Sequence, residues 1–313
     1  METTEPRTRG GWKLSAPSEP KGALRRTPRV LGLLYELFDN EWMHSGHLKA
    51  LDAGEKTDRL LLRMAQHHLV SRLTLEWGWK APPVGGQPPQ LYELSALGAY
   101  DLAAAGMISA EQLREWERER AKREAARANN PNVKYPLLRH QIANADVTVW
   151  FQQACLAHGY GFERGYQLAT GSNPRVLALP DRARPLITDG TYRIETGERR
   201  AIVWIETDRA TEPYARRDKR ELKSIERMFK GYLAYARSGL VRAQFGVENF
   251  YQLTVTTGGA SRVEGIAHTA HAIGCAAEFR DRFLVTNFDA LAFASPFSVP
   301  WVDAVGSIVP FSL

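Results

Sequence analysis

The run Ile202-Val203-Trp204-Ile205-Glu206-Thr207-Asp208 leaves the chain few options. Branched and aromatic residues without Gly or Pro read as a strand, and a strand turns successive side chains to opposite faces. Trp204, Glu206 and Asp208 therefore share one face, and Val203 and Ile205 share the other. Upstream, Ile187-Thr188-Asp189-Gly190 ends in a further acid, and Glu195-Thr196-Gly197-Glu198 between the two runs reads as a polar turn. Antiparallel pairing across that turn would bring Asp189 towards Glu206 and Asp208. Three carboxylates beside apolar strands need a cation, a proton or a basic partner to offset their repulsion.

The elements around this pair suggest a layered domain. A helix is expected over 137–158, strands over 162–168, 186–194 and 200–207, and a long helix over 213–236 with Leu222, Ile225, Phe229, Tyr232 and Leu233 on its buried side. A strand over 250–256, a helix over 261–274 and a strand over 283–286 follow. Hairpin, helix, strand, helix, strand predicts an α/β domain over 133–313, with a mixed sheet covered by helices.

The N-terminal half reads differently. Helices are expected over 30–38, 46–51 (capped by Ser45) and 55–68, followed by a two-stranded ribbon, Val70–Leu75 and Leu91–Leu94, around a tip of Pro and Gly. That order over 30–104 is the order of a winged helix-turn-helix, whose third helix enters the major groove. Lys56, Thr57, Arg59 and Arg63 on the third helix, with Arg72 and Lys80 on the ribbon, are the candidate DNA contacts. The same module also serves docking or dimerisation, so a homodimer stays open beside DNA. Ser109 and Gln112 open a charged helix read as a solvated connector over 105–132, ended by Asn129-Asn130-Pro131-Asn132. The first 29 residues, rich in Arg, Lys, Pro and Gly, read as a flexible basic arm.

Composition sets the frame. With 313 residues, 44% hydrophobic and 24% charged, the chain suits two soluble domains, and its net charge of +6 suits a polyanion. No apolar run reaches the roughly 20 residues of a membrane span, so no membrane partner and a cytoplasmic location are expected. Cys155 and Cys275 lie far apart and read as reduced packing thiols. His268, His271 and Cys275 could share a helix face, without a clear fourth zinc ligand. No Ser/His/Asp motif, dinucleotide fingerprint or HExxH is present.

Two readings of the acids remain open. In one, Asp189, Glu206 and Asp208 hold Mg²⁺ for phosphodiester cleavage, with a lysine from the following helix, Lys219, Lys223 or Lys230, stabilising charge. In the other, the acids pair with Arg209, Arg216 or a lysine as a structural network. Nucleases of the PD-(D/E)XK class carry a lysine two residues after the strand acid, where this chain has Asp208. The turn Thr257-Gly258-Gly259-Ala260-Ser261-Arg262 opens a helix, and its free amides with Arg262 make a phosphate-binding candidate; a plain strand-to-helix turn is the alternative.

Together, Leu91-Tyr92-Glu93-Leu94-Ser95-Ala96-Leu97-Gly98, His140, Asp189, Trp204 to Glu212, Tyr232 and Leu253-Thr254-Val255-Thr256 with Arg262 resemble the replication-relaxation family of plasmid and mobile-element proteins. The resemblance covers about residues 30–290, and Glu206-Thr207-Asp208-Arg209-Ala210-Thr211-Glu212 is its sharpest segment. It implies a DNA-binding protein with a PD-(D/E)XK-like second domain, acting in replication or mobilisation beside a relaxase or replication initiator. It marks Asp189, Glu206, Asp208, Tyr232 and Arg262 as site positions. Two positions depart from the family pattern: Met228 stands where a lysine is usual, and Thr188 where a proline usually precedes the first Asp.

Overall fold

The computed structural model describes residues 12–14, 22–52, 54–75, 90–129, 134–168, 173–179, 185–197, 199–210, 212–214 and 224–313. The chain divides into two compact units, Met1–Ala145 and Asp146–Leu313.

The first unit contains β1 (Trp12–Leu14), α1 (Pro28–Asn40), β2 (Trp42–His44), α2 (Ser45–Leu51), α3 (Thr57–Gln66), β3 (Val70–Leu75), β4 (Gln90–Leu94), α4 (Ala96–Ala104) and α5 (Ala110–Asn129). Helix α6 (Lys134–His158) runs across the division between the units. Helix α1 begins where the Thr27 hydroxyl accepts the Val30 amide and Pro28 occupies a position whose missing N–H costs nothing. Its buried Val30, Leu33, Leu34, Leu37 and Phe38 recur at helical spacing. Ser95 caps α4 through the Gly98 amide, at 3.1 Å. A Cβ on Gly98 would lie 2.3 Å from the Leu69 carbonyl oxygen, so only glycine lets α4 approach the start of β3 this closely.

The expected two-stranded ribbon forms the centre of a four-stranded antiparallel sheet, ordered β1-β3-β4-β2. The outer strands have three residues each, too short to show an alternation. Within the expected arm, Trp12–Leu14 pairs with β3, Leu24 is buried, Arg26 pairs with Asp101 and Arg29 with Asp52. The cap of α2 is His44 rather than Ser45: His44 Nδ1 accepts the His47 amide at 3.2 Å and His47 Nδ1 accepts the His44 amide at 3.4 Å. Helix α5 starts in the expected Ser109/Gln112 box but is not wholly solvated, because Trp116 is buried and stacks on Phe38 at 6.5 Å. One aromatic within a run of alternating charge leaves no period to read. Leu138 and Ile142 of α6 cluster with Trp42, Leu73 and Leu91 in this unit.

The second unit contains β5 (Gly161–Arg164), β6 (Val176–Leu177), β7 (Leu186–Ile187), β8 (Gly190–Thr196), β9 (Arg199–Asp208), α7 (Ile225–Arg237), α8 (Leu240–Phe245), β10 (Phe250–Thr256), α9 (Ala260–Ala272), α10 (Cys275–Phe279), β11 (Phe283–Asn287), α11 (Phe288–Phe293), β12 (Trp301–Asp303) and β13 (Ile308–Val309). A mixed seven-stranded sheet runs β13-β12-β11-β10-β9-β8-β5, with β10 parallel to both β9 and β11 and the remaining pairs antiparallel. This is the α/β architecture expected from the sequence. One face of β9, with Ile202 and Trp204, packs with Phe229 and Tyr232 of α7 and Ile266 and Ala270 of α9. The other, with Val203 and Ile205, packs with Val147, Phe151, Trp301 and Phe311.

The single strand expected over 186–194 is two. The chain changes partner at Thr188-Asp189, pairing with β6 before it and with β9 after it. Helix α7 starts at Ile225, where Ser224 accepts the Arg227 amide, and the rest of the long helix expected upstream falls largely on residues 215–223, outside the described residues. Helix α11 and strands β12 and β13 have six, three and two residues, again too few to carry a period. Cys155 and Cys275 are free and buried, and burial pushes each thiol up to about 12.

Candidate functional site

Strand pairing sets the positions of the acids. Gly190 stands opposite Ile205, so Asp189 falls beside the C-terminal end of β9, and its Oδ2 accepts the Thr207 amide at 2.9 Å. Glu206 lies on the same face as Trp204, and its Oε1 accepts the Tyr232 hydroxyl. Tyr232 is fully buried, with its ring 5.4 Å from that of Trp204. Burial, then the charge and hydrogen bond of Glu206, then the charge of Asp189 raise the phenol well above its ordinary range, against a smaller opposing effect of Arg175. Asp189, Glu206, Tyr232 and Arg175 thus form one electrostatic neighbourhood. Arg175 is held there by donating Nε to the Thr188 carbonyl at 2.9 Å.

Asp208 faces a different set of groups. Parallel register places it beside Thr256, whose hydroxyl donates to Oδ2 at 2.7 Å. Arg262, in the first turn of α9, donates Nε to Oδ2 at 2.8 Å and Nη2 to Oδ1 at 2.9 Å. The side chains are 2% exposed for Asp208 and 13% for Arg262. The same guanidinium donates to the Glu212 carbonyl at 2.6 Å and lies 4.4 Å from the Tyr214 ring centre, and its bonds to Asp208 raise its pKa further. Arg262 therefore faces a carboxylate instead of an open anion site, the reverse of the phosphate-binding expectation.

The three acids expected to gather as one metal set do not do so: among the described residues, no ligand cluster includes Asp189, Glu206 and Asp208 together, and none includes His268, His271 and Cys275. Alternation put Asp208 on the correct face, but a step of two residues along β9 carried it to a different neighbour. A half-buried guanidinium and a threonine hydroxyl between them donate to both oxygens of Asp208, so a three-carboxylate Mg²⁺ set would share that acid with them. The candidate lysines do not complete it. Lys230 is half-exposed on α7 and pairs with Glu226 one turn earlier; Lys219 and Lys223 lie outside the described residues.

In the first unit, Lys56 is exposed immediately before α3 and Arg59 is exposed on it, Arg63 is half-buried and donates to the Ala23 carbonyl at 2.9 Å, and Arg72 is half-buried on β3. Lys80 lies outside the described residues. Thr57 differs from the outward-facing expectation: it is buried, and its hydroxyl donates to Asp52 at 2.6 Å. As the first residue of α3 it points back into the preceding turn.

A family model for replication-relaxation proteins matches residues 37–248, more than half of the chain. The chain belongs to the replication-relaxation family. Among curated proteins and solved structures, no match was found. Of the site positions that the resemblance marked, Tyr232 joins Glu206, and Arg262 joins Asp208. Sequence reasoning missed Arg175 and Tyr214, and it named Thr256 without its partner Asp208. Arg175 stands in an irregular segment with no periodicity, whereas the Thr256 pairing follows once β9 and β10 are known to be parallel and in register.

Proposed function

We propose that the chain is a DNA-binding accessory protein in plasmid or mobile-element replication or mobilisation, with residues 30–104 acting as a winged helix and the second unit as a non-cleaving relative of the PD-(D/E)XK nucleases. Membership of the replication-relaxation family supports the setting. DNA binding draws support from the order of three helices and a hairpin, the exposed Lys56 and Arg59 at the start of α3, and the net charge of +6. The observation that carries the non-cleaving reading is Asp208 held in the fork of Arg262, at the position where a cleaving site of this class has its lysine. A relaxase or replication initiator is the protein partner this role calls for, and a second copy of the chain is a further partner.

Fluorescence anisotropy with labelled duplex DNA across a salt series tests the first half. Arg59→Ala is expected to weaken binding and lower the log–log salt slope by about 1, the loss of one phosphate contact. An unchanged slope removes Arg59 as a contact. Incubation of supercoiled plasmid with and without Mg²⁺ tests the second half, and intact plasmid is expected in both. The alternative, a Mg²⁺-dependent nickase, is favoured by the nearness of Asp189 and Glu206 to one phenol. Nicking lost in Glu206→Ala would establish it and end the non-cleaving proposal.

A further inference from the structure

Between α2 and α3 the chain builds a polar knot that the DNA-binding reading alone does not explain. Arg29, in the first turn of α1, donates Nε to Asp52 Oδ1 at 2.9 Å and Nη2 to Asp52 Oδ2 at 2.6 Å. The same Nη2 reaches the Glu55 carbonyl at 2.8 Å and lies 3.4 Å from the Thr57 hydroxyl. Thr57 Oγ1 donates to Asp52 Oδ2, and the Gly54 amide donates to Oδ1 at 3.1 Å. Asp52 thus accepts from α1, from the turn and from the first residue of α3, while its side chain is 5% exposed. The Arg29 hydrogen bonds hold its pKa below the ordinary carboxylate range against the opposing effect of burial, and Thr57 and the Gly54 amide add to them.

Two backbone features belong to the same knot. A Cβ at Gly54 would come 2.2 Å from Arg29 Cζ, so the guanidinium fits only over a glycine. Lys56, immediately before α3, has φ 61 and ψ 33, left-handed values that a lysine seldom adopts. The knot grips the residues on both sides of it, the Glu55 carbonyl and the Thr57 hydroxyl. Helix α3 has no side-chain cap of its own at Lys56, so its first turn is fixed by Asp52 from the preceding segment.

We propose that Arg29, Asp52 and Thr57 are positioning residues for DNA binding: they preset the direction of α3, so that Lys56 and Arg59 meet the phosphates without a prior rearrangement. The inference rests on the DNA-binding reading. It predicts an effect opposite to simple electrostatics. Asp52→Asn removes a negative charge near a DNA-binding helix, which by charge alone tightens binding. Through the knot it loosens α3, and if the competent orientation falls to a tenth of the population, the apparent affinity falls about tenfold.

The test is anisotropy on the full-length chain with the same duplex and salt series, comparing wild type, Asp52→Asn and Thr57→Val. Thr57→Val keeps shape and charge and removes only the hydroxyl, so it reports on the knot even if Asp52→Asn fails to fold. The expected result is a loss of about tenfold or more in either variant that stays folded, with the wild-type salt slope, because no phosphate contact is lost. Binding as tight as wild type, or tighter, in Thr57→Val overturns the proposal while leaving the DNA reading intact. A wild-type chain that binds no duplex DNA overturns the reading and the knot's role together.

Discussion

Removing Arg262 should damage the second unit far more than removing an ordinary surface arginine. Arg262→Gln leaves Asp208 2% exposed, with the Thr256 hydroxyl still donating but the guanidinium gone. Breaking one side of a buried ion pair costs about 3–5 kcal/mol, a large part of the roughly 5–15 kcal/mol that holds a typical domain. The glutamine also loses the bond to the Glu212 carbonyl and the contact with the Tyr214 ring, so residues 212–214 lose two of their ties to α9. Adding Asp208→Asn removes the stranded charge and should restore about 2 kcal/mol or more relative to the arginine variant alone. The assay is urea denaturation followed by tryptophan fluorescence and by circular dichroism, with the two single variants and the double variant closing a cycle. A cost below about 1 kcal/mol for Arg262→Gln would place the pair among exposed ion pairs and refute the argument. Strict additivity in the cycle would refute it as well.

Tyr232→Phe withdraws the donor from Glu206 and should cost about 1.5–3 kcal/mol, the range for a hydrogen bond to a charged group, read from the urea midpoint. In the wild type, spectrophotometric titration should show phenols that stay protonated well past the ordinary tyrosine range, the buried Tyr232 and Tyr235 among them; all tyrosines titrating together at the ordinary value would contradict the burial and charge assigned to Tyr232. Asp52 binds its proton less readily in the folded chain than in the unfolded one. Its stabilising contribution is therefore complete above the ordinary value of 3.8 and is lost as pH falls through its lower folded value. Asp52→Asn should accordingly narrow the stability difference between neutral and strongly acidic pH, and an unaltered pH profile would count against the knot. Gly98→Ala should lower the melting temperature, since the added methyl must displace a backbone carbonyl at a cost of about 1–3 kcal/mol, and a neutral result would show that α4 can retreat.

How much of this could be read beforehand depends on how far apart the partners lie in the chain. The face shared by Trp204, Glu206 and Asp208 follows from strand alternation, and the mixed sheet from the order of its elements. Asp189 beside Glu206 follows from the hairpin. The partner of Asp208 does not, because Arg262 lies 54 residues away on α9, and only the parallel register of β9 and β10 brings it close. Likewise Thr57 looked like a contact residue because helical spacing gives a direction only for a regular helix. Its position at the first turn, with Asp52 behind it, reverses that direction. Short strands such as β1 and β2 form through pairing with strands distant in sequence, a force that leaves no local pattern.

The match to the family model ends at residue 248, two positions before β10 begins. Both groups that neutralise Asp208, the Thr256 hydroxyl and the Arg262 guanidinium, lie past that point. The matched region therefore carries an acid whose answering charge is supplied from downstream of it. Asp208 gains both partners only once the next parallel strand has docked along β9.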